Sequence, residues 1–209
     1  ESLGVQTHSE TILPMVQQLL AQAGIALSRC DAIAFGVGPG SFTGVRTACG
    51  VVQGLAFGGD LPVAPVVTLE AMAQACLEAT SGAAIDVLPV LDARMGEVYW
   101  AQYRHGESGW EAVLEPRLSS AVAVAPQGHV RACGNGLTAY AQDFAGQPFA
   151  AAALAQLMPH AAQVATLGRR MLEQGKTVPL QDAQPLYLRN KVALTTAERQ
   201  VRDLAKGAV

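Results

Sequence analysis

The sequence has few charged and few aromatic residues, and it lacks any long uninterrupted apolar run. Charged residues make up 15% of its 209 residues, aromatic residues 5% and apolar residues 50%. This composition excludes an intrinsically disordered chain. The 14 basic and 17 acidic residues give a net charge of −3, whereas a dedicated nucleic-acid binder normally carries a basic excess. Without a run of about 18 apolar residues, no transmembrane helix is predicted.

The cysteines and histidines lack the spacing of a metal site. No two cysteines form a Cys-x-x-Cys pair, and apolar neighbours favour buried, reduced thiols in a cytosolic protein. His8 would need a second histidine four residues later on a helix, but Ile12 stands there. The sequence therefore predicts no metal site. The four cysteines are Cys30, Cys49, Cys76 and Cys133.

Helical and strand patterns alternate in the first part of the chain. Pro14 either bends the first helix or occupies its first turn, and Thr68 is expected to cap the third. In order, the patterns predict a helix over 11–23, a buried strand over 32–37, a glycine-rich turn over 36–44, a helix over 45–57, a strand over 63–67 and a helix over 68–80.

A different order is predicted after residue 84. It reads β-β-β-α-β-α, where the helix between the third and fourth strands has no residues assigned to it, and Pro159 is expected in the first turn of the last helix. The assigned elements are strands over 85–91, 98–103, 110–115 and 130–133, a turn over 94–97, and helices over 137–144 and 160–174.

The element order indicates an α/β protein built from two similar halves. Strands that alternate with helices favour parallel pairing, and the halves would match if a three-stranded meander preceded the first. We therefore expect two ribonuclease H-like lobes. The N-terminal lobe, over 1–80, would lack its meander, and the C-terminal lobe, over 81–209, would end in a tail that packs back on the first. Mixed charges over 191–206 predict a solvated helix in that tail.

The glycine-rich segment from Gly36 to Gly44 is the strongest local signal. A strand, a glycine-rich turn and a helix start together expose backbone N–H groups that suit phosphate. The segment is not a P-loop, because Val45 rather than Lys follows Gly44, and it misses the dinucleotide fingerprint by one residue. A structural turn and a loop that faces a ligand or partner are both compatible with it.

No residue stands in a recognisable catalytic setting. Ser41 lacks the Gly-x-Ser-x-Gly context of a nucleophile. Asp92 ends a buried strand, where ligands of α/β proteins usually lie, but a lone carboxylate there more often caps the following turn. A local ion pair among Asp92, Arg94 and Glu97 would explain these residues equally well. The sequence therefore predicts no catalytic residue.

Two glycines interrupt the predicted helix over 45–57, which is apolar nearly all round. Gly50 and Gly54 lie four residues apart, on one stripe of the helix. Each glycine costs up to about 1 kcal/mol relative to alanine in a helix interior. We therefore expect another helix to approach this stripe closely.

Four segments resemble the bacterial TsaB (YeaZ) family. His8–Val16 is similar to the first helix of the family, and Leu91–Tyr99 and Pro185–Arg189 are similar to two further family segments. All four occur in the family's order and spacing and span nearly the whole chain. The fourth segment looks like the family signature and contains Gly38, Pro39, Gly40, Ser41, Phe42, Thr43, Gly44 and Arg46.

The resemblance implies an actin-like ATPase (ASKHA) fold of two ribonuclease H-like lobes. It also implies a cytoplasmic, non-catalytic subunit that helps to form threonylcarbamoyladenosine beside the anticodon of tRNAs that read codons starting with A. The paralogue TsaD would hold the metal and transfer the threonylcarbamoyl group from an adenylate made by TsaC, and the ATPase TsaE would join the complex. The resemblance further implies a homodimer when alone, no cofactor of its own, ATP or ADP only at the interface of the complex, at most indirect contact with tRNA, and no membrane.

The partner surface is expected on the first two helices, which would form half of a helical bundle with a second copy or with TsaD. Some apolar residues of the first helix must instead face the chain's own sheet, and the pattern does not divide them. A metallopeptidase-like hydrolase of the glycoprotease family is the alternative function, and an ATPase resembling sugar or acid kinases is a third. The expected interface residues are Ile12, Met15, Val16, Leu19, Thr47, Gly50, Val51 and Gly54.

Overall fold

Six strands and five α-helices make up the regular structure of residues 8–82 and 86–189, which a computed structural model describes. They are α1 (His8–Ala23), β1 (Ile33–Gly38), α2 (Phe42–Gly59), β2 (Val63–Val67), α3 (Thr68–Ala79), β3 (Asp86–Arg94), β4 (Glu97–Gly106), β5 (Gly109–Ser120), β6 (Arg131–Cys133), α4 (Gly136–Ala139) and α5 (Ala161–Glu173).

The strands form two sheets. In the first, β1 and β2 are parallel, with Ile33 opposite Val63. In the second, the order is β5-β4-β3-β6: β3, β4 and β5 form an antiparallel meander, and β6 is parallel to β3, with Arg131 opposite Val87. The second sheet therefore has the meander and the additional strand that the element order predicts.

Helices cover both faces of the first sheet. Phe35 and Val37 of β1 point to one face and pack against Cys49 and Val52 of α2, because alternate strand residues point to the same side. α5 covers the other face, where Leu167 packs against Val66 of β2.

α3 covers one face of the second sheet, and its Ala71 also packs with Val66 of the first sheet. Its residues Leu69, Met72 and Cys76 form a core with Val87 of β3 and Cys133 of β6. The helix of the first half thus completes the core of the second half, and α5 does the reverse. The domain boundary after residue 80 stays a prediction.

The other face of the second sheet is covered by α4 and the turns that follow it. Leu88 and Trp100 pack there against Leu137, Phe144 and Phe149. The two aromatic rings of this cover, Phe144 and Phe149, lie edge to face with centroids 5.7 Å apart. Irregular backbone therefore supplies core residues where a helix over 137–144 was predicted.

A buried amide and an ion pair join β3 to β4. Gln102 is fully buried, and its Nε2 donates to Asp86 Oδ2 at 3.1 Å and to the carbonyl oxygen of Gln127 at 2.9 Å. Arg104 donates to both Asp86 carboxylate oxygens, at 2.7 and 2.8 Å. These hydrogen bonds lower the pKa of Asp86, the one from Arg104 most strongly.

Helix starts in the first half differ from three sequence predictions. α1 begins at His8 and contains Pro14, so the alternative that placed Pro14 in the first turn is wrong. α2 begins at Phe42 rather than at residue 45, because the Ser41 hydroxyl accepts a hydrogen bond from Gly44 N and starts the helix earlier. Thr68 lies inside α3, and the residue before it, Val67, makes no capping hydrogen bond through its side chain.

Three predictions for the second half are also wrong. The helix over 137–144 is only the single turn of α4, since Tyr140 leaves helical geometry. The helix expected between the third and fourth strands is a 3₁₀ turn over Ala121–Ala123, before a segment broken by Pro126 and Gly128. Pro159 precedes α5, whose N-cap is His160.

The cysteines are free thiols, and Cys49, Cys76 and Cys133 are buried as predicted. Cys30 is only partly buried, because it follows an exposed 3₁₀ turn rather than lying in a core. The predicted tail helix over 191–206 lies outside the described residues.

Candidate functional site

The signature segment forms the turn between β1 and α2. Gly38 has φ +108° and is joined to Pro39 by a cis peptide bond. A side chain on Gly38 would place its Cβ 3.1 Å from the carbonyl oxygen of Leu186. A Cβ on Gly44 would lie 2.6 Å from Ser41 Oγ, so the capping hydrogen bond of α2 depends on a glycine there. These glycines allow the turn to pack closely and to cap the helix.

Arg46 links this turn to the C-terminal part of the chain. Its guanidinium carbon lies 3.4 Å from the ring centroid of Phe42 and 5.3 Å from that of Tyr187. Arg46 Nε also donates to the Tyr187 hydroxyl at 2.8 Å. The family signature thus places a stacked arginine between two half-exposed rings.

The β3–β4 hairpin is held by Asp92. Its Oδ1 accepts a hydrogen bond from Arg94 N at 2.8 Å, and its Oδ2 lies 3.1 Å from Arg94 Nη1. Arg94, Met95 and Gly96 all have left-handed φ values, of +63°, +61° and +81°. The structure therefore contains both the turn cap and the Asp92–Arg94 ion pair that were predicted, whereas Glu97 pairs with a residue outside the hairpin.

Two residues that flank α4, Asn135 and Tyr140, fix Asp92. The Tyr140 hydroxyl donates to Asp92 Oδ1 at 3.0 Å, and Asn135 Oδ1 accepts from Asp92 N at 3.0 Å. Burial, and then the carboxylate of Asp92, raises the pKa of Tyr140. The Gly134-Asn135-Gly136 sequence after β6 was the available signal for Asn135, and nothing in the pattern marked Tyr140.

The segment from residue 178 to residue 189, here called the C-terminal strap, runs from the first sheet to the β3–β4 hairpin. It begins with two backbone hydrogen bonds between Val178 and Val63. It ends at Arg189, whose Nη2 donates to Glu97 Oε2 at 2.6 Å and to the carbonyl oxygen of Ala93 at 3.0 Å. The strap thus links the two sheets.

The signature turn, the hairpin and the strap surround one cleft of about 680 Å³. A cleft of this size, mainly apolar with a few polar groups, is typical of ligand sites. Its lining includes Pro39, Gly40, Ser41, Phe42, Val45, Thr68, Leu91, Asp92, Ala93, Arg94, Tyr99, Asn135, Met158, Pro159, Leu186, Tyr187, Leu188 and Arg189.

The predicted partner residues lie outside this cleft, on α1 and α2. On α1, Met15 and Leu19 are 45% and 62% exposed, while Ile12 and Val16 are half-buried. Ile12 and Val16 are thus the more covered pair, while the predicted contact of some α1 residues with the sheet stays a prediction. It leaves part of the apolar stripe of α1 in solvent.

The glycine stripe of α2 also faces open space. A Cβ at Gly50 or at Gly54 would meet no atom within 4 Å, and Thr47 and Val51 are half-buried. The helix expected against this stripe is therefore not supplied by the described part of the chain. Phe57, one helical turn after Gly54, is 78% exposed, although nothing in the sequence pattern marks it.

Within residues 8–82 and 86–189, no group of three or more His, Cys, Asp and Glu side chains is placed to hold a metal ion. In that same part of the chain, no helix is both long enough and apolar enough to cross a bilayer.

Comparison with known proteins gives a consistent set of relatives. Residues 3–197 match the family described as TsaD, tRNA N6-adenosine threonylcarbamoyltransferase. The tRNA threonylcarbamoyladenosine biosynthesis protein TsaB of Escherichia coli is 41% identical over 192 residues, which cover 89% of this chain and 82% of the relative. TsaB of Haemophilus influenzae is 38% identical over 201 residues, covering 91% and 83%.

Two solved structures from Pseudomonas aeruginosa have the same fold. A protein described as similar to peptidase YEAZ matches with a TM-score of 0.82 and 37% identity, over 90% of this chain and 87% of the other. YeaZ matches with a TM-score of 0.81 and 38% identity, over 88% and 87%. These likenesses confirm the predicted fold class, an α/β protein with the actin-like ATPase fold of two ribonuclease H-like lobes.

Proposed function

Because the chain belongs to the TsaB (YeaZ) family, we propose that it serves tRNA threonylcarbamoyladenosine formation as a non-catalytic scaffold for TsaD. The curated relatives carry the name of this biosynthesis in full. In this proposal the chain binds TsaD through α1 and α2, and TsaD performs the transfer.

The exposed apolar face of α1 and α2 carries the proposal. Met15 and Leu19 of α1 and Phe57 of α2 are large apolar side chains in solvent, and Gly50 and Gly54 of α2 have open space around them. Exposed apolar side chains grouped in one patch are typical of interaction sites, and glycines let a second helix approach closely. A specific complex buries about 800 Å² on each partner, which two helices of this length can supply.

The described similarity to the TsaD family supports a partner of the same fold. A partner built alike presents equivalent helices, so the same face can pair with TsaD or with a second copy of this chain. We therefore expect a homodimer in isolation and exchange to the heterodimer when TsaD is added.

Two substitutions test the interface. Gly50→Leu fills the open stripe, and Met15→Asp places a charge on the apolar face, so each is expected to weaken capture of TsaD at least tenfold and to lower modified tRNA. Val122→Asp is the matched control, because Val122 is an exposed apolar residue in the second half. Full capture and full modification by both interface variants would show that the partner binds elsewhere.

The competing function is a metallopeptidase-like hydrolase, which the description of one Pseudomonas aeruginosa structure brings to mind. Against it stands Ile12 on α1, where a histidine would be needed to complete a metal-binding pair with His8. Metal analysis of the purified chain separates the two functions. Stoichiometric zinc or iron together with peptide hydrolysis would contradict the scaffold proposal and indicate an enzyme.

The remaining partners follow from the same proposal. The chain works in the cytoplasm with TsaE, and the product of TsaC reaches it only through TsaD. It contacts tRNA at most indirectly, and it has no cofactor of its own. ATP or ADP would bind only at the interface with TsaD. Equilibrium dialysis with ADP should therefore show binding by the mixture of both proteins and none by this chain alone.

A further inference from the structure

The two ends of the C-terminal strap are held by different kinds of contact. Near its start, Val178 exchanges backbone hydrogen bonds of 2.9 and 2.8 Å with Val63. Ala183 is fully buried, and its carbonyl oxygen accepts from Cys49 Sγ at 3.1 Å and Gln53 Nε2 at 2.9 Å. This proximal part is held by main-chain groups and by a core contact.

Leu186 is the last residue of the strap with a backbone-to-backbone anchor among the described contacts, a 2.8 Å hydrogen bond from its N to the carbonyl oxygen of Val37. Beyond it, Tyr187 and Arg189 are attached through their side chains. Tyr187 is half-exposed, and Arg189 pairs with a Glu97 side chain that is 38% exposed. Solvent reaches the Glu97 side of this ion pair and screens it in part.

Arg189 is also incompletely satisfied in this position. Its side chain is only 18% exposed, and its Nε is buried without a hydrogen-bond partner among the described residues. A buried donor without a partner carries a desolvation cost. The distal anchor therefore combines a partly screened ion pair with an opposing desolvation cost.

The distal anchor crosses the cleft. Leu186, Tyr187 and Arg189 line it from the strap, and Asp92 and Arg94 line it from the hairpin. Through Val37 and Val63 the strap is fixed to the first sheet, whereas the hairpin belongs to the second. The contact of Arg189 with the hairpin consequently holds the two walls together.

We propose that Arg189 is a releasable catch on the cleft: loss of its contacts with Ala93, Met95 and Glu97 separates the hairpin from the strap and widens the cleft, while the strap up to Tyr187, which Arg46 binds, stays in place. The proposal concerns the cleft and does not depend on the partner surface of α1 and α2.

Hydrogen exchange of the full chain, read by mass spectrometry, tests the catch. Arg189→Gln should speed exchange on the order of tenfold in peptides over 91–99, where Arg94 N bonds to Asp92. Exchange at Val63 and at Leu186 should stay at the wild-type rate. Arg169→Gln is the control, because Arg169 forms an exposed ion pair with Glu173 inside α5.

A second variant guards against general misfolding. Glu97→Gln keeps the bond from Arg189 to Ala93 and removes only the charge, so it should give a smaller change in the same peptides. Unchanged exchange over 91–99 in Arg189→Gln would overturn the proposal. Faster exchange that extends to Val63 in either variant would also overturn it, because the strap would then open as a whole.

Discussion

Gly168 of α5 lies directly against Ala34 of β1. A Cβ on Gly168 would overlap the Cβ of Ala34 and would lie 3.4 Å from that of Ala64. The missing side chain is what lets α5 rest on the first sheet and bring Leu167 into contact with Val66. The close packing of α5 on the first sheet thus requires that residue 168 has no side chain.

Gly168→Ala should destabilise the fold by about 1–3 kcal/mol, because overpacking outweighs the better helix propensity of alanine. Urea unfolding measures the change. Gly58→Ala, in a helix with open space around it, should instead stabilise by about 0.5–1 kcal/mol. Ala34→Gly in the Gly168→Ala background should recover part of the loss, and a neutral Gly168→Ala would contradict this account of the contact.

Asp86 should make stability fall in acid. Its pKa is lowered in the folded state by Arg104 and Gln102, so its contribution is complete above the unfolded value, about 3.9. That contribution is lost as the pH drops through the lower folded value. Unfolding curves between about pH 5 and 2 should show this loss in the wild type and a smaller one in Asp86→Asn. Arg104→Gln should reduce the same dependence, and an unaltered acid profile in both variants would argue against it.

Ionisation of Glu70 should lower the free energy of unfolding as the pH rises, the opposite of the effect of Asp86. Burial raises its pKa, although Lys176 and Arg170 oppose the shift. Its ionisation therefore costs stability as the pH rises above the unfolded value, about 4.3, and through the higher folded value. Glu70→Gln should gain stability relative to the wild type between about pH 4 and 7. An identical pH dependence of stability in Glu70→Gln and in the wild type would contradict this account.

Replacing Met95 with asparagine should stabilise the fold. It has φ +61° in the β3–β4 turn, a conformation that asparagine and glycine tolerate better than other residues. Met95→Asn should raise the free energy of unfolding by about 0.5–1 kcal/mol, measured by urea unfolding. Met95→Leu keeps the strain and should bring no gain. A gain in Met95→Leu would mean that side-chain contacts, not the backbone, set the stability here.

Strands were the most predictable elements. The strand over 63–67 was predicted with its observed bounds, because a short apolar stretch between turn residues is typical of a buried strand in an α/β protein. Helix starts were less predictable: α2 begins where the Ser41 hydroxyl meets Gly44 N, a contact that depends on the turn geometry. The predicted helix over 137–144 was too long, because the residues after α4, such as Phe144, enter the core from irregular turns.

The cleft was only partly visible in the sequence. Asp92 and the signature segment were recognised from strand ends and glycines, which are local features. Asn135, Tyr140 and Met158 reach the same region from distant parts of the chain, and only the tertiary fold brings them together. Gly50 and Gly54 marked the stripe of α2, and the helix expected against it stays a prediction. Phe57 was missed because a single aromatic residue near a helix end has no periodic signal.

The crossing of α3 and α5 has a consequence for how the molecule can be divided. α3 seals one face of the second sheet with Met72 and Cys76, and α5 seals one face of the first with Leu167. Cutting the chain between α3 and β3 would separate each sheet from the helix that covers one of its two faces. We therefore expect each fragment to aggregate when it is made alone, and we expect the two fragments to associate when they are mixed.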